Sequence, residues 1–95
     1  MSAYGKKLRR AQGDMFLFWC PGCNCAHAVN HGWRFNGDGD RPTFEPSILV
    51  NAPGQFHNPT ALTCHSFVRD GRIQFLGDST HALAGQTVDL PDWPR

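Results

Sequence analysis

The run Cys20-Pro21-Gly22-Cys23-Asn24-Cys25-Ala26-His27 places three cysteines and a histidine within eight positions, and the chain has only one other cysteine, Cys64. A CxxC pair sets two thiols on a tight knuckle, close enough to fill two corners of a tetrahedron. The Pro-Gly interior supplies the turn and lets backbone amides approach the sulfurs. The chain has 95 residues, near the low end of the size at which one apolar core suffices, so a bound metal contributes usefully to stability. The knuckle therefore predicts a single small domain organised around a metal.

Compartment decides between metal and disulfide. The longest apolar run after the basic N-terminal stretch is Met15-Phe16-Leu17-Phe18-Trp19, far short of a signal-peptide core or a membrane span. The expected location is the cytoplasm, where clustered cysteines more often bind metal than pair, and Zn2+ is the ion expected. Ten Gly and seven Pro beside seven Phe and three Trp point to many turns and little helix. The expected class is mainly β: a small antiparallel sheet or barrel-like domain with a zinc knuckle and one short helix.

Residues 1–13 read as a flexible basic arm and residues 14–95 as one β-rich metal-binding domain. The arm holds Lys6, Lys7, Arg9 and Arg10, four of nine basic residues. It is the one local reason to consider a nucleic-acid partner, because the net charge of +1 gives no general attraction to polyanions or anionic membranes. "DMFLFW" reads as a buried strand delivering the chain to Cys20, "AHAVNHGWRF" as a second and "TFEPSILV" as a third with Pro46 at an edge or bulge. Residues 51–60 read as a loop.

In "LTCHSFVRDGRIQFLG" the Asp70-Gly71 pair predicts a two-residue hairpin. Its register sets Arg69 opposite Arg72, Val68 opposite Ile73 and Ser66 opposite Phe75. By alternation, Cys64 shares a face with Val68, Ile73 and Phe75, while His65 shares the other face with Phe67. "DSTHALAG", capped by Asp78 or Ser79 and ended by Gly85, predicts one or two helical turns with His81 in the first. "QTVDLPDWP" follows as a final strand or strap, with Trp93 an apolar plug.

Cys20 and Cys23 supply two ligands. Cys64 at the open end of the hairpin and His81 just beyond it complete the expected set Cys20, Cys23, Cys64 and His81. His65 is the rival for Cys64, and Cys25 and His27 are held in reserve. His31 and His57 have no partner at metal spacing, and Asn36, Asp38 and Asp40 lack the glycine and twelfth-position carboxylate of a calcium loop. A redox dithiol would sit at a helix N-terminus, and the residues after Cys23 carry no helical period. A structural metal with function in binding a partner is the expected reading, with no catalytic residue assigned. The alternative is a zinc-dependent hydrolase with an open coordination position and Glu45, Asp78 or the unused member of the His65 and His81 pair as acid or base.

The segments "FWCPGCNCAH", "HGWRFNGDGDRPTFEPS" and "CHSFVRDGRIQFLGDSTHALAGQTVDLPDW" resemble a family of small proteins encoded by bacteriophages and prophages, of unknown function and often labelled "ammonia monooxygenase". The enzymes that earn that label are membrane-embedded copper complexes of several subunits, and this sequence has no spanning segment. The resemblance implies that the CxxC, the Cys64-His65 pair and the Thr80-His81 element form one constellation. Family members often carry a cysteine where this chain has Ser79. A phage origin implies action in a bacterial host cytoplasm on a host or phage protein partner, through a face including Trp33, Arg34 and Phe35 if these are not core.

Overall fold

A computed structural model describes residues 2–51 and 62–94. Its strands fall into two antiparallel sheets. The first runs β1 (Ser2–Tyr4), β2 (Leu8–Ala11), β3 (Met15–Cys20) and β4 (Cys25–Val29), neighbours in that order. The second runs β5 (Arg34–Phe35), β6 (Phe44–Val50), β7 (Cys64–Arg69), β8 (Arg72–Phe75) and β9 (Thr87–Asp89), again in chain order. Every strand thus pairs with its sequence neighbour within its sheet, as short turns favour. The mainly β expectation holds.

The sheets share one core. Leu8, Phe18, Cys20 and Val29 come from the first, and Phe44, Ile48, Cys64, Val68, Ile73 and Phe75 from the second, with Leu90 beyond β9. Phe16 of β3 meets Phe35 and Phe44 at ring distances of 4.8 and 6.3 Å, stitching the sheets at one end. Such tilted aromatic pairs add about 0.5–1.5 kcal/mol each beyond their burial.

The hairpin around Asp70-Gly71 has the expected register: Arg69 faces Arg72, Val68 faces Ile73 and Ser66 faces Phe75. Both turn residues take positive φ, 50° and 76°, as a type I′ turn requires. On the other side of β7, β6 pairs with a register shift between Phe44 and Ile48. Pro46 lies in that irregular stretch, having no N–H to give the ladder.

Three expectations meet a different structure. Residues 2–11, expected within a flexible arm, form the β1–β2 hairpin, and β2 pairs with β3. Leu8 is fully buried and Tyr4 packs on Phe16 and Phe35, so two apolar side chains among the basic ones hold the segment in the sheet. Lys7 bonds the Leu90 carbonyl and Asp92, and Arg9 and Arg10 lie over the rings of Trp93 and Phe16. The helix expected over residues 78–85 is a set of turns, with no helix among the described residues. Its would-be capping side chains are engaged elsewhere, Asp78 on the His65 ring and Ser79 on the His65 backbone. Finally, β3 is fully buried only at Phe18 and Cys20; the outer Trp19 is half-covered by Trp93 at 6.0 Å. His57 and nearly all of the loop expected over 51–60 lie outside the described residues. No helix among the described residues is long and apolar enough to cross a membrane.

Candidate functional site

β7 carries chemistry on both faces. Cys64 points inward and is fully buried, while His65, the next residue, points outward and is partly exposed.

On the inner side, one ligand atom each of Cys20, Cys23, His27 and Cys64 lies within 4.8 Å of the others. The elements explain the convergence. β3 ends at Cys20, the Pro-Gly turn returns the chain, and β4 pairs back with Cys20 opposite Cys25 and Phe18 opposite His27. His27 thus points inward beside Cys20, its ring edge-on to Phe18 at 5.7 Å. Cys64 reaches the cluster from the second sheet, with its Sγ 3.8 Å from that of Cys20. Four residues from β3, the knuckle, β4 and β7 therefore join the two sheets.

The electrostatics suit a cation. Cys20 is pulled down to about 4, chiefly by the hydrogen bond from the Cys64 thiol and also by His27 and the Cys23 amide. Burial and the neighbouring Cys20 sulfur push Cys23 up to about 12, and Cys64 is raised because its proton is held by Cys20. One thiolate thus concentrates the negative charge of three sulfurs. The Nε2 of His27 is buried without a hydrogen-bond partner, an arrangement that costs stability unless a ligand uses that nitrogen. Three sulfurs and one imidazole nitrogen make a donor set that could hold a metal ion, of the Cys3His type that zinc takes.

Three of the four ligands expected from sequence, Cys20, Cys23 and Cys64, are in this group, together with His27 from the reserves. His81 lies against the knuckle. A Cβ on Gly22 would fall 2.4–2.6 Å from its ring, which stands edge-on to Phe75 at 4.4 Å. Its Nδ1 accepts from the Leu83 amide, and its Nε2 is buried without a partner. Cys25 is exposed.

On the outer side, His65 joins two residues that sequence reading did not connect. Its Nε2 is 3.1 Å from the Ser47 hydroxyl, and its Nδ1 is 3.0 Å from Asp78 Oδ2 and 3.2 Å from Oδ1. A carboxylate only accepts, so the Nδ1 proton points at Asp78 and Nε2 is left as acceptor for the Ser47 hydroxyl. The ladder brings the pair together: Leu49 lies opposite His65, and Ser47, two residues earlier on β6, shares its face. Ser47 also sits in the irregular stretch of β6, where bulges commonly re-aim a side chain. Asp78 comes from the connection after β8. Ser79 fixes that connection, its hydroxyl accepting from the His65 amide at 3.0 Å and donating to the His65 carbonyl at 3.1 Å. Trp33 braces the other flank, its indole N–H donating to the Pro46 carbonyl at 3.1 Å.

The order Ser···His···Asp, with each contact at 3.0–3.2 Å, is the arrangement in which an imidazole takes a hydroxyl proton while a carboxylate holds its tautomer. Fold and site together define a small two-sheet β protein with a Cys3His cluster inside and a serine–histidine–aspartate relay outside. A family model described as the bacterial ubiquitination-like system serine protease (BubE) matches residues 3–76, and the chain belongs to that family. No curated protein and no solved structure matches the chain.

Sequence reading gives Ser47 no functional role; it weighs His65 as a metal ligand, as an acid or base beside the metal and as a partner to a Cys64 nucleophile, and Asp78 as a helix cap or an acid or base beside the metal. The local signal was faint: no glycine-flanked serine marks the nucleophile, and the only pointer was the alternation that turned His65 away from Cys64.

Proposed function

We propose that this chain is a serine-type peptidase acting on a ubiquitin-like protein or its conjugates, with Ser47 as nucleophile, His65 as general base and Asp78 as the group that orients His65. The observation that carries this reading is the Ser47–His65–Asp78 relay; the family's description, a serine protease of a bacterial ubiquitination-like system, supports the choice of substrate class. Ser47 Oγ attacks the scissile carbonyl carbon as its proton passes to His65 Nε2, and Asp78 stabilises the imidazolium that forms. His65 then gives that proton to the leaving nitrogen, the C–N bond breaks, and an ester on Ser47 remains. Water, deprotonated by His65, cleaves the ester and restores the hydroxyl.

The inner cluster in this reading binds Zn2+ and is structural. Thiolates held at about 2.3 Å by one tetrahedral zinc lie about 3.8 Å apart, and the Cys20–Cys64 separation is 3.8 Å. Four protein donors complete the shell, so the ion supplies stability and leaves the chemistry to Ser47.

A fluorophosphonate probe tests the reaction: one adduct per chain on Ser47, lost in Ser47→Ala and reduced at least a hundredfold in rate in His65→Ala. Labelling that persists in Ser47→Ala refutes the assignment. Metal analysis tests the cluster, with one zinc per chain expected and loss of zinc on Cys64→Ser.

A further inference from the structure

The face that carries Ser47 and His65 continues into a groove of about 680 Å³ whose lining includes Trp33, Arg34, Glu45, Pro46, Phe67 and Arg69. Pro46 immediately precedes Ser47. Phe67 and Arg69 follow His65 at alternate positions of β7, so His65, Phe67 and Arg69 share one face. The groove therefore lies next to the relay, beside Pro46 and along the outer face of β7.

Its charges are unevenly matched. Arg34 and Glu45 are opposite each other in the β5–β6 ladder, so their charges offset locally. Arg69 faces Arg72, a like charge. Of the carboxylates on the surrounding strands and turn, Asp89 pairs with Arg72 at 3.3 Å and Asp70 with Arg41 at 2.8 Å, while Glu45 lines the same groove as Arg69 without an ion pair to it. Among the described residues Arg69 has no carboxylate partner. Its guanidinium is nevertheless held in place, 4.3 Å from the centre of the Phe67 ring. A cation stacked on an aromatic face loses less freedom when it takes an anion, and its planar fork matches a carboxylate.

We infer that this groove holds an extended segment of the peptide substrate and that Arg69 selects an acidic side chain two or three residues from the scissile bond. The spacing follows from the strand. Phe67 lies two residues from His65, about 7 Å along β7 at about 3.3–3.4 Å per residue. Because the Arg69 guanidinium folds back over Phe67, a bound carboxylate lies about 7–10 Å from the reacting carbonyl, two or three residues of extended peptide. Trp33 and Phe67 supply apolar surface for the intervening side chains.

This inference rests on the peptidase reading, and the test separates the two. The full chain is given a set of peptides that differ only in carrying Glu or Lys at each position flanking one scissile bond, and kcat/KM is read for each. At the second or third position on one side of the bond, Glu is expected to exceed Lys by about tenfold, as a charge-assisted hydrogen bond provides. Arg69→Glu should reverse that order, and raising the salt from about 0.05 to about 0.5 M should shrink the wild-type preference. Cleavage by the wild type without a Glu preference, or a preference that survives Arg69→Glu, overturns the role of Arg69 while leaving the peptidase reading intact. A wild-type chain that neither cleaves any peptide nor labels at Ser47 overturns the peptidase reading and this inference with it.

Discussion

Replacing Asp78 with asparagine asks how much a largely exposed carboxylate contributes to a relay. In a buried triad the equivalent change costs about 10⁴ in kcat, because the histidine loses both its anionic partner and its correct tautomer. Here the side chain of Asp78 is 61% exposed and that of His65 is 23% exposed, so water screens the pair. With the Nδ1–Oδ2 contact at 3.0 Å, the imidazolium and carboxylate charge centres lie about 4 Å apart. Their attraction is then about 1 kcal/mol in bulk water and about 4 kcal/mol in the environment of a partly covered protein surface. The half-exposed geometry places the loss at about 2–3 kcal/mol, or about 30- to 150-fold in kcat/KM. Asp78→Asn should show that decrease in peptide cleavage and in phosphonate labelling, and added salt should reduce the wild-type rate toward the variant's. A variant within threefold of wild type, alongside a dead Ser47→Ala, would refute Asp78 as the orienting group.

Ser79→Ala removes the two side-chain hydrogen bonds that Ser79 makes to the His65 backbone; it should lower stability by about 1–2 kcal/mol in denaturant titration and slow Ser47 labelling as Asp78 loosens. Gly22→Ala pushes a methyl into the His81 ring, so the knuckle must open; chelator competition should show weaker metal retention, with about 1–3 kcal/mol lost in stability. Leu8→Ala should cost about 2–5 kcal/mol because Leu8 is fully buried, whereas a frayed arm would give almost nothing; thermal unfolding distinguishes them. Acid should release the metal, since protons compete with it for sulfur and imidazole ligands; dialysis across a pH series with metal analysis shows the midpoint.

The features legible in the sequence are those carried by local pattern. Asp70-Gly71 set the β7–β8 register because two residues with positive φ leave one favoured hairpin, and alternation then put Cys64 and His65 on opposite faces. CxxC marked Cys20 and Cys23 as a pair. His27 would have been readable as their neighbour had the Cys20–Cys25 turn been taken as a hairpin, since its register puts His27 on the same face as Phe18 and Cys20. The relay was not legible because Ser47, His65 and Asp78 come from β6, β7 and the connection after β8, and only lateral strand pairing assembles them. Ser47 had no signature, Asp78 read as a helix cap, and His65 read as a rival ligand because it directly follows Cys64. The N-terminal hairpin was obscured by its charge: one buried Leu8 among Lys6, Lys7, Arg9 and Arg10 is too little apolar pattern to announce a strand.

Cys64 and His65 are consecutive residues whose side chains leave β7 in opposite directions. Inserting or deleting one residue upstream of them, with the rest of the ladder kept, would send the thiol out to the solvent and the imidazole into the core. Lineages carrying this strand are therefore free to drift by substitution on either face but not to change its length by an odd number, and a frame of fixed parity should outlast most of the identities around it.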